Sequence, residues 1–370
     1  MSRWRRKSGA KLLPRLSRLS RIKGSLLGGA VGDALGASIE FLNLDQIRAL
    51  YGERGIEDYD KAYGRIGAIT DDTQMTLFTA DGLIRAWVRQ QQRGECRVPS
   101  VIHHAYLRWL LTQDEEPANP DLGIATDGWL FGVDDLHRVR APGTTCLSAL
   151  RAAEAYGQPA IARNDSKGCG GVMRVAPVGL IAPVIGDDSA VFATARDAAA
   201  LTHGHPAGYL SSGHLAVVIA ALMRGESLAR ALDAADAELR RHRDHEIVAR
   251  AVDGARELAA LCRPAPELIE GLGGGWVAEE ALAIAICCAL AATDFGDGVL
   301  RAVNHSGDSD STGAIAGNIL GALLGAAAIP ERWLNRLELG SSIERVATDL
   351  AAIAAGSMSA DEAAASYPGY

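Results

Sequence analysis

Two short acidic runs lie far apart in the chain, "TDDT" at residues 70–73 and "GDSDST" at 307–312. Each mixes carboxylates with hydroxyls, has no basic neighbour within several residues, and opens onto an apolar stretch. Helix capping explains one or two such residues, because Asp, Ser and Thr accept from free N–H groups and complement the helix dipole. Four such residues in the first run and five in the second exceed that need. If the two helix starts meet in space, four carboxylates share one small volume, which is unfavourable unless protons or cations neutralise them. Donors made only of oxygen are hard and select Mg2+ or Mn2+ over zinc. A calcium EF-hand fails: the loop from Asp308 has Asp310 and Gly313 in register, but Ile319 stands where its final glutamate belongs.

A third stretch, "GSLLGGAVGDALGASIEF", carries Gly24, Gly28, Gly32 and Gly36 every four residues. That spacing predicts one helix face packed closely on another helix. Asp33 and Glu40, seven apart, fall on a shared face two turns from each other; either acid alone more often lies at a surface. No Walker sequence follows these glycines.

The elements that must position these groups read as helices. Met75, Phe78, Thr79, Gly82, Leu83 and Ala86 follow helical spacing after the first acidic run. Pro99 opens a helix over 99–113, and "SALRAAEAYG" ends on Gly157 as a C-cap. Further helices are expected at 25–38, 188–201, 206–224, 226–241, 245–262, 277–293, 312–327, 342–355 and 360–366. Loops are expected at 52–69, 114–144, 157–175 and 264–276, where Gly, Pro and Asn cluster. With no alternating β-branched run and no long linker, the chain reads as one all-α domain.

The 370 residues are 48% hydrophobic and 5% aromatic, with a formal charge of −8 that argues against nucleic acid as a partner. Residues 1–24 nevertheless hold nine basic side chains and no acidic one. Residues 1–23 are therefore separated as a basic N-terminal arm from a domain over 24–370. The six cysteines show no CxxC pairing and read as buried reduced thiols. The start lacks an apolar signal region, and "ALAIAICCALAA" at 281–292 is too short to span a bilayer, so a cytoplasmic protein without membrane contact is expected.

With these motifs assembled, the chain resembles the ADP-ribosylglycohydrolase family, which includes the dinitrogenase-reductase-activating glycohydrolase and the ADP-ribosylarginine hydrolases. The resemblance is carried in family order by "GSLLGGAVGDALGASIEF", "ITDDTQMTLFTADGLI", "SKGCGGVMRVAPVGL", "LTHGHPAGYLSSGHLA" and "NHSGDSDSTGAIAGNILGALLGA". It implies an all-α orthogonal helical bundle with a dinuclear metal cleft holding two Mg2+ ions, or Mn2+. Thr70, Asp71 and Asp72 would be ligands from one side; Asp308, Asp310 and Ser311 would be ligands from the other. Ser311 replaces a threonine of some relatives and keeps the hydroxyl. Glu40 matches a glutamate that lies beside the metals in relatives and supports catalysis. Ser166, Gly168, Cys169, Gly170 and Gly171 match the ADP-ribose-binding loop, with Cys169 where several relatives carry Asn. His203 matches a substrate-cleft position, whereas His205 and His214 read as packing or surface residues.

The resemblance implies hydrolysis of mono-ADP-ribose from protein side chains, with arginine as the linkage, and catalysis by Glu40 together with Asp72 and Asp310. An alternative is an immunity protein that binds an ADP-ribosyltransferase toxin through the basic arm, with or without hydrolysis. The arm also reads as a transit peptide or a solvated tail. A degenerate relative that binds ADP-ribose without cleaving it is disfavoured by the complete acidic set.

Overall fold

The computed structural model describes residues 16–261 and 264–369. Among the described residues eighteen α-helices dominate, and the named strands form one hairpin pairing Lys61–Ala62 with Arg65–Ile66. The architecture is all-α.

At its centre the Arg18–Gly36 helix packs antiparallel on the Ser309–Leu324 helix. The contact is made through glycine. A Cβ built on Gly24 would lie 2.3 Å from the Gly321 carbonyl oxygen, one on Gly28 would lie 2.5 Å from that of Gly317, and one on Gly32 would lie 2.0 Å from that of Gly313. The last rung sets Gly36 against Asp310, whose amide nitrogen would be 2.3 Å from such a Cβ. The four-residue glycine spacing therefore fixes both the approach of the two backbones and their register. It also delivers the chain just after Gly36, including Glu40, beside the start of the second acidic helix.

The first helix begins at Arg18, earlier than expected, so part of the basic stretch belongs to the fold. Arg18 donates to the Ala354 carbonyl at 2.6 Å, and Arg21 donates to those of Ala322 and Leu323 at 2.7 and 3.1 Å. Both arginines thus satisfy carbonyls left open at helix C-termini. Lys23 pairs with Glu344. Expectations for residues 1–15 of the arm lie outside the described residues.

Several short helices were not legible in the sequence, among them Leu44–Tyr51, Ala176–Leu180 and Phe295–Val303. The helix expected to end at Gly157 instead runs Thr144–Arg151, and Gly157 takes φ +68° in the following turn. The Pro206–Met223 helix is apolar enough to cross a membrane by length and composition, yet 83% of it is buried inside the bundle. It packs against the Ala176–Leu180, Asp188–Ala200, Leu228–Leu239 and Ala278–Ala291 helices. His214 on that helix meets Asp236 at 2.8 Å, and His205 caps its start by accepting from the Ala207 N–H. Cys96, Cys146, Cys169, Cys287 and Cys288 are free thiols; Cys262 lies outside the described residues.

Candidate metal centre and substrate cleft

The Asp71–Arg93 helix starts against the first helix. Thr70 is its N-cap and accepts from the Asp72 N–H at 3.3 Å. Asp33, fully buried on the first helix, accepts from the Thr70 N–H at 2.9 Å and from the Thr73 N–H and hydroxyl at 3.1 and 2.5 Å. This carboxylate is the clamp that presents Asp71 and Asp72. The sequence placed it only on a shared helix face with Glu40, but the helix ends at Gly36 and Glu40 lies in the turn beyond it; neither acid is at the surface, Glu40 being 7% exposed.

Asp71 receives the Gly143 N–H on Oδ2 at 3.1 Å, and its own N–H donates to the Arg140 carbonyl. Arg140 is in turn held by Glu338, a buried carboxylate that also pairs with Arg65 and accepts from the Ile69 N–H. Nothing in the local sequence pointed to Glu338, because all its partners are more than 190 residues away.

Asp308 caps the Ser309–Leu324 helix by accepting from the Ser311 N–H at 3.3 Å, and the same N–H reaches Asp310 Oδ1 at 2.9 Å. The Asp308 N–H is tied to the Gly274 carbonyl at 2.8 Å. Ligand atoms of Glu40, Asp308 and Asp310 all lie within 4.8 Å of one another.

These groups open into one cleft of about 400 Å³. Of the expected site residues, it is lined by Glu40, Asp71, Asp72, Gly168, Cys169, Gly170, His203, Asp308, Asp310 and Ser311. Three others stand back from it. Thr70 is buried, 3.5 Å from Asp72 Oδ2; Ser166 meets the Thr145 hydroxyl at 3.0 Å; Gly171 is buried on Ala199 and Gly208.

The loop over 166–171 is held by the chain at 276–278. Cys169 N–H donates to the Trp276 carbonyl at 3.2 Å and Ala278 N–H to that of Lys167 at 2.8 Å. The amides of Ser166, Gly168 and Cys169 are therefore spent within the protein, on Asn164 Oδ1, Ser166 Oγ and the Trp276 carbonyl. Gly170 leaves no room for a side chain, since a Cβ there would lie 2.9 Å from Cys146 Sγ. His203 is oriented by the Thr202 hydroxyl at 2.9 Å, itself gripped by the buried Arg174 at 2.7 Å. Burial, reinforced by Arg174, pushes the His203 imidazole down to about 3, so the ring is neutral at pH 7. At the cleft rim Phe41 and Trp276, 72% and 45% exposed, stack on each other with centroids 5.8 Å apart. Neither was singled out in the sequence, where a lone aromatic in a loop carries no periodic signal.

The electrostatics are those of a site short of positive charge. Burial first, then Asp310, Asp308 and Asp71, pushes Glu40 up to about 10. Burial and Asp310 push Asp33 up to about 8. Asp71, Asp72 and Asp308 are likewise raised, chiefly by burial, and in each case Asp310 adds to it. Glu40 Oε2 and Asp72 Oδ1 are buried without a hydrogen-bond partner. Buried carboxylate oxygens without donors are costly. An all-oxygen set with unpartnered atoms fits a hard divalent cation.

The ADP-ribosylglycohydrolase family model matches residues 14–360. The chain belongs to the ADP-ribosylglycohydrolase family. An ADP-ribosyl-[dinitrogen reductase] glycohydrolase of Rhodospirillum rubrum is 25% identical, covering 86% of this chain and 90% of its own length. An ADP-ribosylarginine hydrolase, Tri1, of Pseudomonas putida is 26% identical, covering 94% of this chain and 82% of its own. A solved structure titled an ADP-ribosylglycohydrolase-related protein complex superposes with a TM-score of 0.66 at 28% identity, over 92% of this chain and 99% of that one. Membership supports removal of ADP-ribose from modified substrates.

Proposed function

We propose that the chain hydrolyses the N-glycosidic bond between ADP-ribose and an arginine side chain of a modified protein, with two divalent cations, Mg2+ or Mn2+, in the acidic cleft. The observation that carries this reading is the convergence of Glu40, Asp71, Asp72, Asp308 and Asp310, from three distant segments, on one cleft that also holds the Gly168–Gly170 loop and His203. The arginine linkage is supported by the "DSDSTG" motif and by likeness to the Pseudomonas putida relative named for that linkage.

Asp71 and Asp72 would hold the cations from one wall, with Asp308, Asp310 and Ser311 on the other and Thr70 bracing Asp72. When bound, such cations polarise water and orient ribose hydroxyls. The chain's own residues do the rest. Glu40, beside Asp308 and Asp310, would accept the proton of the attacking water once cation charge offsets the carboxylate crowding that otherwise keeps it protonated, with Asp72 and Asp310 completing the carboxylate frame around it. Gly168 and Gly170 let the loop backbone close on a pyrophosphate, since neither projects a side chain into the cleft. His203, neutral and fixed by Thr202, offers a hydrogen bond without adding charge. Ser166 holds the loop through Thr145.

The toxin-binding alternative finds no support; of the arm's basic residues, Arg18, Arg21 and Lys23 are engaged within the fold, and the others lie outside the described residues. The deciding experiment incubates the protein with arginine-, serine- and cysteine-linked ADP-ribosyl substrates, with Mg2+ and with chelator. Release of ADP-ribose from the arginine linkage alone, lost in chelator and in Asp72→Ala, is expected. Full turnover by Asp72→Ala would remove the metal assignment, and preference for another linkage would remove the arginine one.

A further inference from the structure

We propose that Thr202, itself fixed by Arg174, is a positioning residue that locks the His203 ring with its proton on Nε2, where it donates to a diphosphate oxygen of ADP-ribose. The inference rests on the ADP-ribose reading of the cleft and adds which ring nitrogen acts and what holds it. The buried ring is neutral at pH 7, so one nitrogen carries a proton and the other accepts. Nδ1 stands 2.9 Å from Thr202 Oγ1, and Arg174 Nη2 donates to the same oxygen at 2.7 Å.

The Thr202 hydroxyl has a single hydrogen to donate. Besides Nδ1, its neighbours are the Ala199 carbonyl at 3.3 Å and the Cys146 thiol. That carbonyl already accepts from the Thr202 and His203 N–H groups at 3.1 and 3.0 Å, and sulfur is a weak acceptor. Nδ1 is closer than the carbonyl, and its lone pair receives the hydroxyl. The opposite tautomer would aim Nδ1–H at an oxygen already accepting from Arg174 and toward a fully buried guanidinium charge, which opposes it. Nε2 therefore carries the hydrogen. It faces the glycine loop: a Cβ on Gly168 or Gly170 would lie 3.4 Å from it, so a side chain at either position would cover it. The placement matters because the amides of Ser166, Gly168 and Cys169 are spent within the protein. The Nε2–H group supplies an anion with a donor where the loop backbone is short of them.

The test reads the ring directly. Long-range proton–nitrogen NMR spectra of the nitrogen-labelled full chain at pH 7 report which ring nitrogen is protonated, with the His203 signals assigned by their loss in His203→Gln. Wild type should show a protonated Nε2 and a bare Nδ1. Thr202→Val should shift the Nδ1 signal, as an acceptor that has lost its donor, and should bind ADP-ribose about tenfold or more weakly in calorimetry with Mg2+ present. Thr202→Ser, which keeps the hydroxyl, should restore both. A protonated Nδ1 in wild type overturns the inference without any variant. So does a Thr202→Val chain that binds ADP-ribose as wild type does, or a Thr202→Ser chain no better than Thr202→Val. A wild type that shows the Nε2–H ring yet binds no ADP-ribose removes the reading of the cleft instead.

Discussion

Gly32→Ala tests the link between helix packing and the site. The added Cβ would lie 2.0 Å from the Gly313 carbonyl oxygen, where real contacts do not fall below 3.0 Å. The obstructing atom is backbone and has no rotamer to yield, so the two helices must part by about 1 Å. Overpacking costs typically about 1–3 kcal/mol, and this geometry belongs at the upper end. The better helix propensity of alanine returns up to about 1 kcal/mol, leaving a net loss of about 2–3 kcal/mol. At about 2.1 cal/mol/K per residue, a domain of this size would melt about 3–4 °C lower. Function should suffer more, because the same separation shifts Asp310 relative to Glu40 at the end of the glycine ladder. A misplacement of about 1 Å costs roughly 100-fold in rate. The assay is ADP-ribose release beside a thermal melt in Mg2+. Gly254→Ala is the control: its Cβ would meet only Leu272 at 3.7 Å, so a gain of up to about 1 kcal/mol and unchanged turnover are expected. If Gly32→Ala matches wild type in both melting and turnover, the glycine ladder does not set the site.

Other expectations follow from particular groups. In chelator, Asp310→Asn should melt at or above wild type, because a like charge is removed; in Mg2+ it should melt below it, and the reverse order would contradict a cation-held cluster. Asp81 is buried between Arg85 and Arg108, so Asp81→Asn leaves buried guanidinium charge undercompensated and should cost about 3–5 kcal/mol in urea unfolding. Asp33→Ala strips the acceptor from Thr70 and Thr73 and should cost about 1–3 kcal/mol, with weakened Mg2+ binding seen by calorimetry. Burial holds the His103 imidazole down at about 4, below its unfolded value of 6.5, so the unfolded chain takes up the proton first. Stability from this group is complete above pH 6.5 and is lost as pH falls toward 4. Between pH 7 and 5, wild type should lose about 2 kcal/mol more than His103→Gln, measured by denaturant titration at each pH.

The sequence by itself determined a good deal. Helical periodicity gave the all-α class, the four-residue glycine spacing announced a close helix pair, and the mixed carboxylate and hydroxyl runs marked both helix starts of the site. These signals are legible because each is local, a matter of spacing within a turn or two of helix. What only the tertiary structure decided is which distant groups share a volume. Asp33 is a buried clamp because Thr70 and Thr73 fold onto it, Glu338 braces Arg140 across the chain, and Cys169 faces Asp308 across 139 residues. The short helices and the Phe41–Trp276 stack were hidden for the same reason. Burial, hydrogen-bond satisfaction and charge crowding depend on neighbours brought together by folding, and no stretch of sequence states its neighbours.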